Sequence, residues 1–248
     1  MSFAADARIV VDELEKYLRS ARQGSTPVID QQPLEKLVRG LDLSSLVSQG
    51  GLTGDKLRRF VVDYLASTTC LHHPAYLAHQ VAVPHPTGAL GSLIDGLTNN
   101  AMAIYEMGPG AAAIEYFIIN RLLAYVGWQP APLKRQEQKT TEHGGGVLTH
   151  GGSLANLTAL QAARSRVEPD AWHDGTPNDL ALLAPAGAHY SISRAAGILG
   201  VGQKNIYPLE VDARGVVIPD QVPVIHARLM NDGKRPMALV ASAGSTSV

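Results

Sequence analysis

The stretch GGGVLTHGGSLAN at residues 144–156 joins a short apolar run, 146–149, to a glycine-rich turn and the start of a helical pattern. Gly151 and Gly152 allow the backbone to approach a ligand closely. A helix that begins near Ser153 points its unpaired amide groups and the positive end of its dipole towards that ligand. The stretch therefore predicts a strand, a phosphate-binding turn and a helix. The alternative is a tight turn in which Ser153 only caps the helix.

Two later apolar runs, 179–184 and 236–241, alternate with helical patterns at 154–166, 192–199 and 219–231. Short apolar runs that alternate with helices predict a parallel sheet with crossover helices, so the expected fold class is α/β. Ligands of such sheets bind at the carboxyl ends of the strands. The residues that follow each run are therefore candidates for a functional site.

Suitable side chains follow the second and third of these runs. His189 comes just after the second run, where its imidazole can stack on a flat aromatic ligand or act as an acid or base, although a lone histidine can also be structural. The third run ends in SAGSTS, residues 242–247, whose hydroxyl groups can hydrogen-bond a phenolic oxygen or a carboxylate, or form an ordinary turn. Three such strand ends together favour a ligand site.

The remainder of the chain is helical in pattern. Apolar residues at helical spacing predict helices at 4–22, 33–41, 57–65, 89–105 and 111–126. The first three are short and amphipathic, so they need another surface, either the rest of the chain or a second subunit, to bury their apolar stripes. The last two are expected to pack on a core. We expect a helical segment at 1–70 and a partial sheet domain at 71–248.

Composition limits the possible partners. The formal net charge of −1, with no block of like charges, provides no field that would favour nucleic acid or an anionic membrane, so a small molecule is the expected ligand. No apolar run approaches about 18 residues and the first residues lack a signal-peptide pattern, so we expect a soluble, cytoplasmic protein. Cys70 has no disulfide partner and no metal-ligand spacing, which favours a buried structural thiol and no metal site.

In their order along the chain, these motifs resemble the group II amino-acid decarboxylases that depend on pyridoxal phosphate. This group includes the glutamate, cysteine-sulfinate, aromatic-amino-acid and 2,4-diaminobutyrate decarboxylases. The resemblance runs from about His73 to Val248. The segment His73-Pro74-Ala75-Tyr76 resembles the family's His-Pro segment near the substrate entrance, and Gly127-Trp128 resembles part of the helical region that follows it.

The resemblance implies a role for each candidate residue. Residues matching Gly152 and Ser153 hold the phosphate of the cofactor, pyridoxal 5'-phosphate. The histidine matching His189, in the segment Ala-His-Tyr-Ser, stacks on the pyridine ring and is the expected catalytic residue. Thr246 matches a hydroxyl that lies near this histidine and the ring. His73 and His79 are expected to bind substrate, and the family further implies a large domain of fold type I and a homodimer.

The chain also departs from the family pattern. The family's cofactor-binding lysine and its ring-nitrogen aspartate lie beyond the position of Val248. None of the chain's lysines follows a strand in a His-Lys context; they are Lys16, Lys36, Lys56, Lys134, Lys139, Lys204 and Lys234. We therefore expect a chain truncated before these groups and inactive, or nearly so, by itself.

The expected activity of the parent protein is decarboxylation of an L-amino acid to its amine and carbon dioxide. The alternatives are a carbon-carbon lyase of the same fold, which would act on a phosphorylated amino alcohol, and a noncatalytic assembly partner. The substrate stays open, because His79 resembles the diaminobutyrate branch whereas Tyr105-Glu106 resembles the acidic-substrate branch.

Overall fold

A computed structural model of the chain describes residues 2–77, 79–133 and 143–244. Contacts within the chain divide it into two compact units, Met1–Asn99 and Asn100–Val248. The division lies further along the chain than the one expected after residue 70. The reason is that His73 packs beside Gly24, just after the first helix, and that residues 84–90 border the same groove as that helix.

The first unit is helical. Its helices are α1 (Phe3–Arg22), α2 (Leu34–Gly40), α3 (Leu43–Gln49), α4 (Gly54–Ala66) and α5 (Pro86–Thr98). The predictions at 4–22, 33–41 and 57–65 are confirmed, whereas α3 was not predicted. Helices α1 and α4 pack against each other.

A buried carboxylate joins α1 to α4. Glu13 accepts hydrogen bonds from Lys16, at 2.8 Å, and from Arg58 on α4. These cations hold the pKa of the Glu13 carboxyl below its usual value, with the Lys16 hydrogen bond as the largest cause. The backbone N–H of Gly54 also donates to Asp6 Oδ1 at 3.0 Å, so the first turn of α4 is tied to the first turns of α1.

Helix α5 differs from the prediction of a core-packed helix at 89–105. It ends at Thr98, because Asn99 adopts a left-handed conformation (φ 46°) and its N–H bonds the Asp95 carbonyl, which terminates the helix. All of α5 lies within the described part of the chain, and none of its residues is buried. The expectation that it packs on a core within this chain is therefore wrong.

The second unit contains a three-stranded parallel sheet with the order β2-β1-β3. The strands are β1 (Leu180–Pro185), β2 (Ile206–Leu209) and β3 (Arg235–Leu239). The helices are α6 (Pro109–Tyr125), α7 (Gly152–Val167), α8 (Ala171–Asp174), α9 (Ser191–Ile198) and α10 (Val222–Asn231). Short 3-10 turns lie at Tyr105–Met107, Gln203–Asn205 and Pro219–Gln221.

The central strand β1 organises the core of this unit. All six of its residues are buried, and they alternate between two faces. Leu180 and Leu182 belong to a cluster with residues of α7 and α9, whereas Ala181 and Leu183 pack with Leu229 of α10. Parallel strands covered on both faces by crossover helices confirm the α/β prediction.

One predicted strand is absent and one observed strand was missed. The run 146–149 forms no strand in the described chain, which is a correction of the prediction. Strand β2 escaped prediction because it lies at the sheet edge, is only partly buried and contains Pro208, so its residues form no continuous apolar run. The runs 179–184 and 236–241 correspond to β1 and β3.

An ionic cluster fixes the starts of β1 and β3. Arg235, the first residue of β3, lies 2.6 Å from the Asp179 carboxylate and 2.8 Å from that of Glu168, which follows α7. The Arg235 guanidinium donates to Asp179 and holds the pKa of that carboxyl below its usual value. The cluster lies at the amino ends of the strands and leaves their carboxyl ends free for a site.

Within the described residues, no helix is long and apolar enough to cross a membrane.

Candidate active site

The glycine-rich turn leads directly into α7. Gly151 has a φ of 86°, a conformation that favours glycine, and its N–H bonds the Thr149 carbonyl at 2.9 Å. Gly152 and Ser153 then form the exposed first turn of this 16-residue helix. Amide groups in the first turn of a helix have no carbonyl partner within it, so this end of α7 can bind an anion.

Gly152 leaves open space beside the first turn of α7. It has an ordinary helical position, and a Cβ added to it would meet no atom of the described chain within 4 Å. Open space beside a glycine at a helix N-terminus leaves room for a ligand to reach the backbone. The turn therefore fits a bound phosphate group.

The glycines before the turn have a packing role instead. A Cβ on Gly144 would lie 2.7 Å from Leu123 Cδ2, and one on Gly146 would lie 3.0 Å from Ile119 Cγ2. These glycines thus allow the segment to lie close against α6. Glu115 of α6 also accepts a hydrogen bond from the Leu148 N–H at 2.8 Å, which takes a backbone donor that a strand would give to a neighbour.

The end of β1 supplies His189. After Pro185 the chain turns, with the Ala188 N–H bonding the Pro185 carbonyl, and His189 is exposed two residues before the start of α9. Its ring contacts the Tyr190 ring, with centroids 4.1 Å apart at 38°. An exposed imidazole at a strand end is available to a ligand.

Hydrogen bonds join this histidine to α7. His189 Nδ1 lies 2.9 Å from Ser191 Oγ and 3.3 Å from the Ser191 backbone nitrogen. Asn156 Nδ2 of α7 donates to Ser191 Oγ at 2.8 Å. Because Asn156 lies one turn after Ser153, the structure brings the glycine-rich turn and the candidate catalytic histidine to one edge of the sheet.

A cavity of about 250 Å³ lies between α7 and α9 at this edge. Ser153, Ser191 and Arg194 contribute its polar side chains from the two helices, together with His150 from the turn. The guanidinium of Arg194 also lies 4.7 Å from the Tyr190 ring centroid. The Ser153 hydroxyl, the His150 imidazole and the Arg194 guanidinium can donate to an anion such as a phosphate.

The remaining candidates lie elsewhere. Thr246 is outside the described residues. His73 belongs to the first unit, where its Nδ1 accepts a hydrogen bond from the Ala75 N–H at 3.0 Å. It lines a cleft of about 480 Å³ with Arg22, His72 and other residues of that unit. His79 is exposed and has a φ of 60°. The substrate-binding roles of His73 and His79 stay predictions.

Sequence reasoning missed the two residues that connect the site. Asn156 follows Ser153 by three positions and Ser191 follows His189 by two, and both are side chains that hydrogen-bond locally. The spacing was visible in the sequence, but the pairing of Asn156 with Ser191 joins residues 35 apart and needed the fold. No group of three or more His, Cys, Asp or Glu side chains in the described part of the chain is arranged to hold a metal ion.

Comparison with known proteins identifies related enzymes. The family model described as the pyridoxal-dependent decarboxylase conserved domain matches residues 59–248. The acidic amino acid decarboxylase of Mus musculus is 27% identical over 235 residues, covering 94% of this chain and 40% of that protein. The cysteine sulfinic acid decarboxylase of Rattus norvegicus is 29% identical over 242 residues, covering 96% of this chain and 45% of that protein.

Solved structures extend the likeness to three dimensions. The crystal structure of mouse CSAD has a TM-score of 0.84 and 25% identity, covering 98% of this chain and 49% of that one. A glutamate decarboxylase domain from Vibrio parahaemolyticus has a TM-score of 0.82 and 17% identity, and it covers 98% of this chain and 51% of that one, so it supports the fold alone. The chain thus spans about half of these solved chains and less than half of the curated relatives named above.

Proposed function

The chain belongs to the pyridoxal-dependent decarboxylases, and on this basis we propose that the whole protein removes the α-carboxyl group of an L-amino acid as carbon dioxide and releases the amine. The observation that carries the proposal is the connection of the open glycine turn to His189 through Asn156 and Ser191. This arrangement supports a phosphate site and a ring-stacking side chain at one sheet edge, which a decarboxylase of this family requires.

The phosphate of the cofactor is proposed to bind at the N-terminus of α7. The Gly152 and Ser153 amides are free of intrahelical partners, the Ser153 hydroxyl can donate, and no described atom fills the space beside Gly152. The positive end of the helix dipole adds a favourable field for a dianion. Thr246, the remaining cofactor-binding candidate, stays a prediction from the family resemblance.

His189 is proposed to stack on the pyridine ring and to orient it. The exposed imidazole follows the carboxyl end of β1, and the adjacent Ser191 fixes one of its nitrogens. When bound, pyridoxal phosphate accepts the electron pair that remains on the α-carbon as carbon dioxide leaves. A pyridine ring with a fixed orientation favours loss of an α-carboxylate whose bond is perpendicular to the ring plane. The proposed role of His189 is to keep the ring in that orientation.

The substrate is proposed to be an acidic amino acid. Two of the relatives are named for acidic amino acids and for cysteine sulfinic acid, which both carry an anionic side chain. His73 and His79 are proposed to contribute to the substrate entrance.

The test is product analysis with the whole protein and pyridoxal phosphate. L-aspartate, L-glutamate, cysteine sulfinate, 2,4-diaminobutyrate and an aromatic amino acid are supplied separately, and carbon dioxide and amine are quantified. We expect equal amounts of both from an acidic substrate. Absence of carbon dioxide from every amino acid would refute decarboxylation, and an aldehyde with a phosphorylated amine from a phosphorylated amino alcohol would identify the carbon-carbon lyase instead.

We further propose that the whole protein is a homodimer. The support is the exposed apolar surface of the first unit, where a groove of about 520 Å³ is lined by α1, α4 and α5. Leu14 of α1 and Leu90 of α5 are large apolar side chains that remain exposed there. Surfaces of this kind are usually covered by a partner. The cytoplasmic location expected from the sequence stays a prediction.

A further inference from the structure

We propose that Ser191 and Asn156 are positioning residues that hold His189 as the neutral tautomer with its proton on Nε2. The tautomer follows from the hydrogen bonds around the imidazole and does not depend on the reaction. Its consequence for the cofactor rests on the proposed function, because a stacked imidazole matters only where pyridoxal phosphate binds. His189 therefore has a defined donor and a defined acceptor nitrogen before any ligand arrives.

The backbone amide of Ser191 decides which nitrogen carries the proton. It lies 3.3 Å from His189 Nδ1 with its N–H directed at that atom. A backbone N–H can only donate, so Nδ1 must present a lone pair. In a neutral imidazole one nitrogen accepts and the other donates, and the proton is thereby assigned to Nε2.

The hydroxyl of Ser191 agrees with this assignment. Asn156 Nδ2 donates to Ser191 Oγ at 2.8 Å and so occupies a lone pair of that oxygen. The hydroxyl proton is then free to be donated to His189 Nδ1 at 2.9 Å. Two donors from one residue, a backbone amide and a side-chain hydroxyl, converge on the same ring nitrogen.

The reversed network is internally inconsistent. If the Asn156 side chain were rotated so that its oxygen faced Ser191, the hydroxyl would donate to Asn156 and its oxygen would accept from an Nδ1–H of His189. That proton would then face the Ser191 backbone N–H, so two donors would oppose each other. The amide nitrogen of Asn156 is therefore the group that faces Ser191.

The network couples the histidine to the phosphate-binding helix. Ser191 is 2% exposed and is the first residue of α9, and Asn156 lies in the second turn of α7. At the opposite ends of the two helices, Arg164 of α7 donates to the Leu199 carbonyl at 3.1 Å. Because α7 and α9 are tied at both ends, the orientation of the His189 ring is set by the same helix that carries Gly152 and Ser153.

The fixed tautomer has two chemical consequences. A neutral imidazole can stack on the electron-poor pyridine ring without placing one cation over another. Nδ1 accepts hydrogen bonds from Ser191, and Nε2–H is the single N–H donor of the ring. The histidine therefore offers the ligand a hydrogen-bond donor. If His189 were a mixture of both tautomers, only a fraction of the molecules would present the Nε2–H donor to the ligand.

The direct test is nitrogen NMR of the whole protein with ¹⁵N-labelled histidine side chains, recorded with and without pyridoxal phosphate. His189 is assigned by the signal that disappears in His189→Gln. We expect one neutral tautomer, with protonated Nε2 and unprotonated Nδ1. A spectrum with protonated Nδ1, or with both tautomers equally populated, would overturn the proposal whether or not any variant folds.

Two substitutions weaken the preference for the Nε2–H tautomer to different degrees. Asn156→Asp replaces the donor by a carboxylate that accepts the Ser191 proton, so it should raise the Nδ1–H population of His189. Asn156→Ala removes the donor to Ser191, so the Nδ1–H tautomer of His189 should become partly populated while Nε2–H stays the major form. Ser193→Ala is the control, because its exposed hydroxyl on α9 bonds only the Tyr190 carbonyl among the described residues. An unchanged His189 tautomer in Asn156→Asp would count against the role of Asn156.

Turnover gives a second measurement that is independent of the spectrum. Asn156→Asp should lower kcat by roughly tenfold, which corresponds to about 1.4 kcal/mol, with a smaller change in KM. If no carbon dioxide is released by the wild-type protein, the proposed function fails while the tautomer remains measurable. If carbon dioxide is released but the wild-type tautomer is Nδ1–H, only the present inference fails.

Discussion

Gly151 and Gly152 are neighbours in the sequence, but they are glycine for different physical reasons. Gly151 has a φ of 86° and a ψ of 164°, a combination that side chains with a Cβ strongly disfavour. Gly152 begins α7 in ordinary helical geometry, and nothing in the described chain lies where its Cβ would be. The first glycine therefore shapes the turn, whereas the second leaves space beside it.

Gly152→Ala is expected to separate stability from cofactor binding. Alanine at a helical glycine restricts the unfolded chain, so the free energy of unfolding should stay the same or rise by up to about 1 kcal/mol. The added methyl group should nevertheless keep phosphate from the backbone and weaken pyridoxal phosphate binding by about tenfold or more, equivalent to at least about 1.4 kcal/mol. Chemical denaturation and a cofactor titration of the whole protein measure the two quantities.

Gly197→Ala on α9 is the matched control. Gly197 is also an exposed helical glycine with open space around its Cβ position, but it lies at the end of α9 away from His189. It should show the same small change in stability and no change in cofactor affinity. Equal cofactor affinity in Gly152→Ala and the wild-type protein would contradict a phosphate site at this turn.

The sequence predicts the residues of this site better than the contacts among them. Gly152, Ser153 and His189 follow from their positions at the ends of apolar runs and from the family resemblance. The bond between Asn156 and Ser191 could not be predicted, because it depends on the register of α7 against α9. Gly144 and Gly146 were interpreted with the ligand turn, but their tight approach to α6 depends on the three-dimensional position of Leu123 and Ile119.

At the scale of elements, backbone pairing separates the predicted strands that form from the one that does not. Strands β1 and β3 follow from continuous apolar runs. The run 146–149 was predicted to form a strand in the same way, but its Leu148 N–H bonds a side chain of α6 instead of a strand. The local sequence shows which residues are apolar. It does not show whether a neighbouring strand is available to form backbone hydrogen bonds with them.

Arg164 connects the C-terminal ends of α7 and α9, which are the ends far from His189. Arg164 is buried and donates to Thr176 Oγ1 at 2.8 Å, to the Leu199 carbonyl at 3.1 Å and to Gln161 Oε1 at 3.0 Å. Its guanidinium therefore connects α7, the loop before β1 and the end of α9. Backbone and side-chain oxygens accept these protons, whereas the buried Arg164 Nε has no hydrogen-bond partner among the described residues.

Arg164→Ala is expected to lower the free energy of unfolding by about 2–4 kcal/mol, because it removes several charge-assisted hydrogen bonds and leaves a cavity. Arg166→Ala is the control, since Arg166 lies on the exposed side of the same helix. It should change stability by less than about 0.5 kcal/mol. Equal effects of the two substitutions in a denaturant titration would show that Arg164 does not join the two helices.

At the scale of the whole molecule, the first unit leaves an apolar groove that its own helices do not fill. Val11, Leu14 and Leu18 of α1 border it together with Leu65 of α4 and Leu90 of α5. The stripes of α1 and α4 meet each other on one side only, so part of their apolar surface stays exposed. Large exposed apolar patches favour association, which agrees with the proposed homodimer.

The dimer is expected to depend on this groove, and Leu14→Glu tests it. Leu14 is 38% exposed, so glutamate is tolerated in the separate subunit, but an interface would bury its carboxylate without a partner. We expect the dimer dissociation constant of the whole protein to rise by about tenfold or more, or at least about 1.4 kcal/mol, in analytical ultracentrifugation. Val47→Glu on α3 introduces the same charge at a side chain that is 87% exposed and outside the groove, so it should leave the dimer intact. A Leu14→Glu protein that sediments as the wild type does, with its helical content retained, would exclude the groove as the interface.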